Sequence, residues 1–472
     1  MLNPQTEGVT SDTLRPSPGT FRPPGKATRR GQPAPPPRPG VTTATVALAA
    51  VGLVVSVGLS FSSVTRAGLA APGGTAIFIG GMTGMVGTYL ALLMVLLVSR
   101  IPPVERALGQ DGLLRWHRWL GPWPISLLIL HAVIITIGYA QAARTGSLHQ
   151  LGTFISSYPD ILAATVGLAL MLMAGFVSIR AIRQRLRRET WWTIHLYMYL
   201  ALALSFAHVI VLGPAFVGHP LTRAVWIAVW LATAGTVLTY RVGLPVARTL
   251  RHGLRVVEVR PEAPGVVSII CRGRGLEQLA VSGGQFFLWR FLTKDLWWQA
   301  HPYSLSALPR PPHLRLTVKD VGDHSGALAQ LRPGTRVAIE GPYGTFTPHE
   351  RTRQKVLLIA GGIGVTAVRS LLEDLPANSD PVVVIRASRK EEVVFRPEIA
   401  KLVEQRGGTL HEVIGSRRST DLDERRLREL VPGLGRRDVY VCGPEGFVTG
   451  MVDVLARAGV PEDAIHHEAF SL

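Results

Sequence analysis

Six apolar segments of bilayer-spanning length crowd into the first half of this 472-residue chain and leave it few folds to choose from. They fall at about 41–64, 75–98, 118–139, 160–180, 191–213 and 222–241, and a hydrocarbon core of ~30 Å needs about 20 such residues per helix. The arginines between them sort by side. Arg100, Arg106, Arg115 and Arg118 lie between segments two and three, Arg180, Arg183, Arg185, Arg187 and Arg188 between four and five, and Arg241, Arg248, Arg251 and Arg255 after six. The three opposite loops hold only Arg66, Arg144 and Arg223, so the positive-inside rule puts both termini in the cytoplasm. An integral protein of the cell membrane is expected.

Ionisable side chains at membrane depth are costly and mark function by default. Segment three carries His117 and His131; segment five carries His195 and His208. Fourteen residues of helix rise about 21 Å and make nearly four whole turns, so His117 and His131 share one face at two depths. The second pair is thirteen apart, which turns its members about 140° out of register, so that helix is bent or overwound, or the two sites differ in azimuth. Imidazole is a common axial ligand of haem iron. Both segments run outward, so His117 meets His195 at the inner depth and His131 meets His208 at the outer depth, as two stacked haems require. Trp123 lies between the two depths, where apolar packing is the ordinary role for a lone aromatic. Single buried histidines usually satisfy a neighbour; four in this pattern fit ligation better.

The net charge of +18 would suit nucleic acid, but the positive mean hydropathy and the placement of arginines at segment ends assign that charge to membrane sorting, and no nucleic acid is expected. Only Cys271 and Cys442 are present, both in the cytoplasmic half, so no disulfide framework is implied. Residues 1–40 hold ten prolines and six Lys or Arg and few large apolar residues. Such a stretch cannot bury enough surface to order itself and reads as a disordered, partly polyproline tail, inert or docking a partner domain. Arg29 and Arg30 ahead of an apolar run also fit a secretory signal whose removal would take the first segment with it.

From about residue 253 the pattern changes to short alternating strands broken by Gly and Pro, as in RVVEVRPEAPGVVSIICRG, which predicts a small antiparallel β-barrel ending near EGPYGTF. After about 354, KVLLIAGG, IGVTAVRSLLEDL, PVVVIRAS and DVYVCGP alternate strand and helix as a doubly wound parallel α/β sheet does. Gly361, Gly362 and Gly364 sit at the first strand-to-helix turn, where glycines let a dinucleotide pyrophosphate approach free amides; a plain tight turn explains them nearly as well. The next strand ends in Arg386, Ser388, Arg389 and Lys390, a basic turn suited to a 2′-phosphate, which favours NADPH with NADH as the alternative. In the barrel region, His301, Pro302, Tyr303 and Ser304 offer a ring to stack on a flavin and a hydroxyl for its edge. Lys319, Ser325 and Gly326 offer a cation, a hydroxyl and open backbone to a pyrophosphate.

Taken in order, GQFFLW, HPYSLS, EGPYGTF, AGGIGVTA and VCGPEGF resemble the ferredoxin-NADP reductase superfamily. Joined to six spans with two paired histidines, the chain from about 41 onward resembles the ferric reductase and NADPH oxidase family of transmembrane flavocytochromes b. The resemblance implies a tail (1–40), a six-span haem domain (41–242), an FAD-binding barrel (253–349) and an NAD(P)-binding domain (350–472). It implies that Tyr303 stacks on FAD and Ser304 bonds it, with His301 where soluble reductases keep a phosphate-binding arginine. Ser325 then meets the pyrophosphate, Gly362 and Thr366 the NADPH phosphates, Cys442 with Gly443 and Pro444 the nicotinamide side, and Phe470 covers the flavin. Ala367 stands where the family usually has proline.

Those parts imply electron transfer from cytoplasmic NADPH through FAD and two b-type haems to a small-molecule acceptor outside. Family oxidases often carry a further histidine one turn beyond the outer ligand, where this chain has Ile135; that favours a ferric chelate over oxygen. A haem-free membrane anchor for a flavin reductase, or a docking platform, is the contrasting expectation.

Overall fold

The computed structural model describes residues 39–62, 64–416 and 422–470. The proline-rich tail lies outside them, save for Pro39 and Gly40, which already belong to the first helix. Six helices are long and apolar enough to cross a membrane: Gly40–Ser62, Gly74–Leu97, Gly112–Ala143, Ile161–Ser178, Glu189–Leu212 and Pro220–His252, hereafter spans one to six.

Helices in lipid gain little from burying apolar surface against each other, so close packing through small residues has to hold them. Span two does this with glycine. A Cβ on Gly80 would lie 2.9 Å from the backbone nitrogen of Ile135, one on Gly84 2.5 Å from Nδ1 of His131, and one on Gly138 of span three 2.7 Å from the nitrogen of Ile77. Spans four and five repeat the device, since a Cβ on Gly167 would lie 2.8 Å from the Ala201 carbonyl. The bundle is therefore built from two tight pairs, two with three and four with five.

Span three is interrupted. Its first helix, Gln110–Leu120, gives way at Gly121 to Pro122–Ala143, where Pro122 and Pro124 cannot donate to the helical ladder. Span five is uninterrupted α-helix from Arg188 to Leu212. The interruption thus falls between the pair spaced fourteen apart, and the thirteen-residue pair lies on one unbroken helix. Span six continues through a π-helical turn, Leu238–Gly243, just ahead of Pro245, and runs on to His252. Gly253 closes it at φ +52°, a conformation that suits glycine, and strand follows at Arg255.

The first extramembrane domain contains β1 (Arg255–Ala263), β2 (Val266–Arg272), β3 (Phe286–Phe291), β4 (His301–Ser304), β5 (His313–Lys319) and β6 (Val337–Tyr343). They form two antiparallel sheets, β1-β2-β5 and β4-β3-β6. The sheets meet at two seams made by single bridges, Leu305 with Leu316 and Arg255 with Arg336, so the expected barrel is realised as two sheets joined at seams without continuous pairing. Phe287, Trp289 and Phe291 fill the space between.

The second domain is one parallel sheet in the order β11-β10-β7-β8-β9: β7 (Val356–Gly361), β8 (Val382–Ala387), β9 (Thr409–Ile414), β10 (Asp438–Pro444) and β11 (Ile465–Phe470). Every residue of β7 is buried, as a central strand covered on both faces must be.

Two charged joints fix the parts to each other. Between the extramembrane domains, Arg369, with a side chain 4% exposed, bonds both Glu373 and Glu398; Arg315 makes two bonds of 2.8 Å to Glu398, and Arg310 one of 2.6 Å to Glu373. Burial would raise both carboxyls, but these guanidiniums hold them below the usual range. Between spans and first domain, Glu340 of β6 meets Arg100 at 3.4 Å and Arg241 at 3.3 Å and accepts from the Tyr343 hydroxyl at 2.8 Å. Arg100 also lies over the Tyr343 ring at 4.2 Å, and Arg248 donates to the Gly341 carbonyl. Buried Glu105, on the short helix Pro102–Leu108, completes this joint. Burial, opposed by Arg100, pushes its pKa up to about 7.

Candidate functional site

The four span histidines form two layers. Ring centres of His117 and His195 lie 6.1 Å apart at 73°. His131 and His208 are within electrostatic range of each other in the second layer. Span two supplies what orients its neighbour. The Met94 carbonyl stands 3.3 Å from Nδ1 of His117, and the Gly80 carbonyl 2.7 Å from Nδ1 of His131. A carbonyl only accepts, so the ring proton is assigned to Nδ1 and the Nε2 lone pair is left for a ligand. On span five, Nδ1 of His195 is 3.3 Å from the Ser178 hydroxyl, which also accepts from Trp191 Nε1 at 3.2 Å. Trp191 stacks on the His195 ring at 5.2 Å, while Nδ1 of His208 is buried without a partner.

This arrangement suits a haem better than a bare ion. Two imidazoles on opposite sides of one metal, each with a bond of about 2 Å and roughly 1 Å more to the ring centre, put their centres about 6 Å apart. Among the described residues no group of three or more His, Cys, Asp or Glu could hold a metal ion. A metal held by either pair would have to bring its remaining donors with it, as porphyrin iron does. Trp123 is 55% exposed.

The flavin candidates gather on β4 and the loop after β5. Tyr303 is half-buried, and burial pushes its hydroxyl up to about 12. His301 stacks on it at 6.3 Å and 19°. Pro302 pairs with Leu288, leaving Ser304 inward, where its buried hydroxyl has no partner in the protein. An unmet buried hydroxyl costs about 1–3 kcal/mol, and a flavin edge atom is a fitting acceptor. Ser325 differs from expectation: its hydroxyl accepts from the Val321 amide at 2.8 Å and donates to the Gly322 carbonyl at 2.9 Å, so it is engaged in shaping its own turn. Gly326 packs beside Asp320. The sequence reading missed His324. Its ring lies 3.6 Å from that of His301, both its nitrogens are buried without partners, and burial lowers its pKa against the opposing charge of Glu189. Its position in VGDHSG, beside Ser325, was the available signal.

Across a cavity of about 330 Å³ lies the nucleotide turn. Lys319, Gly362, Ile363, Arg389, Glu391 and Glu392 line it. The three glycines divide their work. Gly362, at φ +55°, has open space where a side chain would stand, whereas a Cβ on Gly361 would meet the Phe447 ring and one on Gly364 the Cys442 backbone. Thr366 is buried and donates to the Ile363 carbonyl at 3.0 Å. Ser388 and Arg389 are exposed at the end of β8, with Arg389 paired to Glu392 at 3.1 Å. The basic turn thus contains its own acids.

Cys442 is fully buried; burial and the charge of Glu468 push its thiol well above the ordinary value, so it is present as a neutral thiol. Gly443 and Pro444 end β10, and Pro444 pairs with Phe470 at the carboxyl edge of the sheet, the edge at which doubly wound folds bind ligands. Phe470 packs against the same core as Phe346 and Tyr440.

Comparison with known proteins agrees with both halves. Residues 83–206 match the ferric reductase like transmembrane component, and residues 358–453 match the oxidoreductase NAD-binding domain. The ferredoxin reductase component of 3-ketosteroid-9-alpha-monooxygenase from Mycolicibacterium smegmatis is 30% identical over 224 residues, 46% of this chain and 63% of that protein. An NADPH oxidoreductase of Mycobacterium tuberculosis is 29% identical over 37% of this chain and 48% of its own length. A Bacillus subtilis flavohemoprotein is 27% identical over 36% and 46%. The chain therefore spans about half the length of these curated relatives. Among solved structures, the FAD/NAD-binding domain of nitric oxide dioxygenase from Vibrio cholerae aligns with a TM-score of 0.40 and 24% identity, over 47% of this chain and 99% of that one. This chain thus joins a segment that matches the ferric reductase like transmembrane component to one that matches the oxidoreductase NAD-binding domain, in an integral membrane protein with six helices long and apolar enough to cross a bilayer.

Proposed function

We propose that the protein carries electrons from cytoplasmic NADPH across the cell membrane, through FAD and two b-type haems, to a ferric chelate outside. The observation that supports this reading best is the His117–His195 separation of 6.1 Å, with the Nδ1 atoms of His117 and His131 turned to carbonyls of span two. Bound flavin and haem supply the chemistry that side chains lack, taking a hydride's two electrons and passing them on singly. The chain's own residues place and insulate these groups. His117 with His195, and His131 with His208, would hold one haem each, with the Met94 and Gly80 carbonyls keeping the first ring of each pair turned. Tyr303 and Phe470 would cover the flavin ring, and Ser304 would bond its edge. His301, Pro302, Ser325 and Gly326 shape the rest of that cleft. Gly362 admits the nucleotide's phosphates to the backbone, Gly361, Gly364 and Thr366 fix the turn, and Cys442, Gly443 and Pro444 border the nicotinamide. Lys319, Ser388 and Arg389 take the 2′-phosphate, Arg389 turning from Glu392 to do so.

At the second layer Ile135 packs its backbone on Gly80 and offers no polar group for an inner-sphere ligand. Outer-sphere reduction of a chelate needs none. The test is NADPH-driven turnover in sealed vesicles with an impermeant ferric chelate outside. Reduction that persists without oxygen and ignores superoxide dismutase is expected, together with a Soret band in the purified protein. A protein with flavin bands alone overturns the haem path, and activity that vanishes with oxygen or superoxide dismutase makes oxygen the acceptor.

A further inference from the structure

The turn between β3 and β4 has no part in the reading above, yet it carries the most apolar exposed surface of the first extramembrane domain. Leu292 is 41% exposed, Trp297 57% and Trp298 38%, and Val321 on the adjacent loop is 56% exposed. A soluble domain seldom displays two neighbouring tryptophans with nothing against them. The turn is also internally bonded. The Leu292 amide donates to the Arg336 carbonyl at 2.9 Å, the Trp297 amide to the Thr293 carbonyl at 3.1 Å, and the Gln299 amide to the Leu296 carbonyl at 3.2 Å, with Leu296 buried beneath as an anchor. Arg290 reaches across to the Trp297 carbonyl at 3.4 Å.

Its location follows from the chain. Trp298 precedes His301 by three residues, which limits their separation to about 11 Å. The His301 ring is 3.6 Å from that of His324. β3, which leads into the turn, pairs with β6, whose Glu340 and Gly341 are bonded by Arg241 and Arg248 near the end of span six. The turn therefore belongs to the sheet that is joined to the spans where they leave the lipid. Charge agrees. Arg290 and Lys294 precede the tryptophans with the single acid Asp295, and exposed Arg183, Arg185 and Arg187 precede span five.

We propose that residues 292–298 are a lipid-binding loop. Leu292, Trp297 and Trp298 enter the interfacial layer of the leaflet on the extramembrane-domain side, where indole rings partition, while Lys294 and Arg290 meet anionic headgroups. The domain is thereby held to the bilayer at a second place, away from the Glu340 joint.

Both native cysteines are fully buried, so a single introduced thiol can be labelled in the full-length protein. A nitroxide on Asp295→Cys, in vesicles of three parts phosphatidylcholine to one part phosphatidylglycerol, is relaxed by oxygen, which concentrates in lipid, and by a water-soluble nickel chelate. The reference is a nitroxide on Glu404→Cys, an exposed position of the sheet domain. The proposal expects nickel accessibility several-fold lower and oxygen accessibility higher at 295 than at 404, and Trp297→Ser with Trp298→Ser restores the values seen at 404. Retained NADPH-dependent reduction of a soluble dye verifies that the double variant is folded. Equal accessibility at the two positions overturns the proposal. Exclusion of both relaxants also overturns it, since a second copy or another protein would then cover the loop.

Discussion

The parallel-sheet domain and the span bundle solve opposite packing problems. In the sheet domain β7, β8 and β10 are buried almost throughout, and the protein fills its own interior. In the bundle, spans two and three and spans four and five close tightly on glycine, but the four histidines stand half-buried between the pairs. Where the chain's own side chains complete the core, a substitution acts through stability. Where they stop short, it acts through what the gap holds.

The sharpest way to break that contrast is to replace His131 and His208 with Leu. Outward transfer to an impermeant acceptor is expected to fall to background while dye reduction on the NADPH side continues; outward transfer that survives breaks the electron path. A smaller effect is expected from Gly84→Leu, whose side chain must enter the His131 ring. Overpacking of this kind costs about 1–3 kcal/mol, and the Soret absorbance per protein should fall by about half if one layer empties and the other stays. Thermal unfolding and the haem spectrum check the two parts.

Next comes Glu105 at the joint, whose carboxyl is pushed up to about 7 from 4.5. A carboxyl raised in the folded state binds more protons folded than unfolded, so its contribution is complete below about 4.5 and is lost as pH rises through about 7. The loss is at most about 3 kcal/mol. Glu105→Gln should flatten this fall, read as melting temperature against pH. The smallest effect is at the nucleotide turn, where Arg389→Ala is expected to raise the KM for NADPH on the order of tenfold, as loss of one charge-assisted contact does, and to leave that for NADH nearly unchanged. Equal effects on both refute the 2′-phosphate role.

Much of this architecture could be read from local pattern. Length and hydropathy located the spans, period-two alternation the antiparallel strands, and a wholly apolar run β7. What could not be read are contacts between residues far apart in sequence. The Gly80 carbonyl on His131 joins residues 51 apart, and Glu340 meets Arg241 across 99. The GxxxG spacing of Gly80 and Gly84 was a sign of close approach, but nothing in it named the partner. Local partners were equally hidden: the Ser325 hydroxyl bonds the Val321 amide and the Gly322 carbonyl of its own turn, and Arg389 pairs with Glu392 three residues on.

Span six has a mechanical consequence. Its 33 residues extend about 50 Å, well beyond the ~30 Å of hydrocarbon, and only Gly253 and Leu254 separate its end from β1. With Arg241 and Arg248 gripping β6 along the way, there is no tether to slacken. The extramembrane head rides on a rigid stalk, and its stance over the membrane is governed by how far that stalk leans.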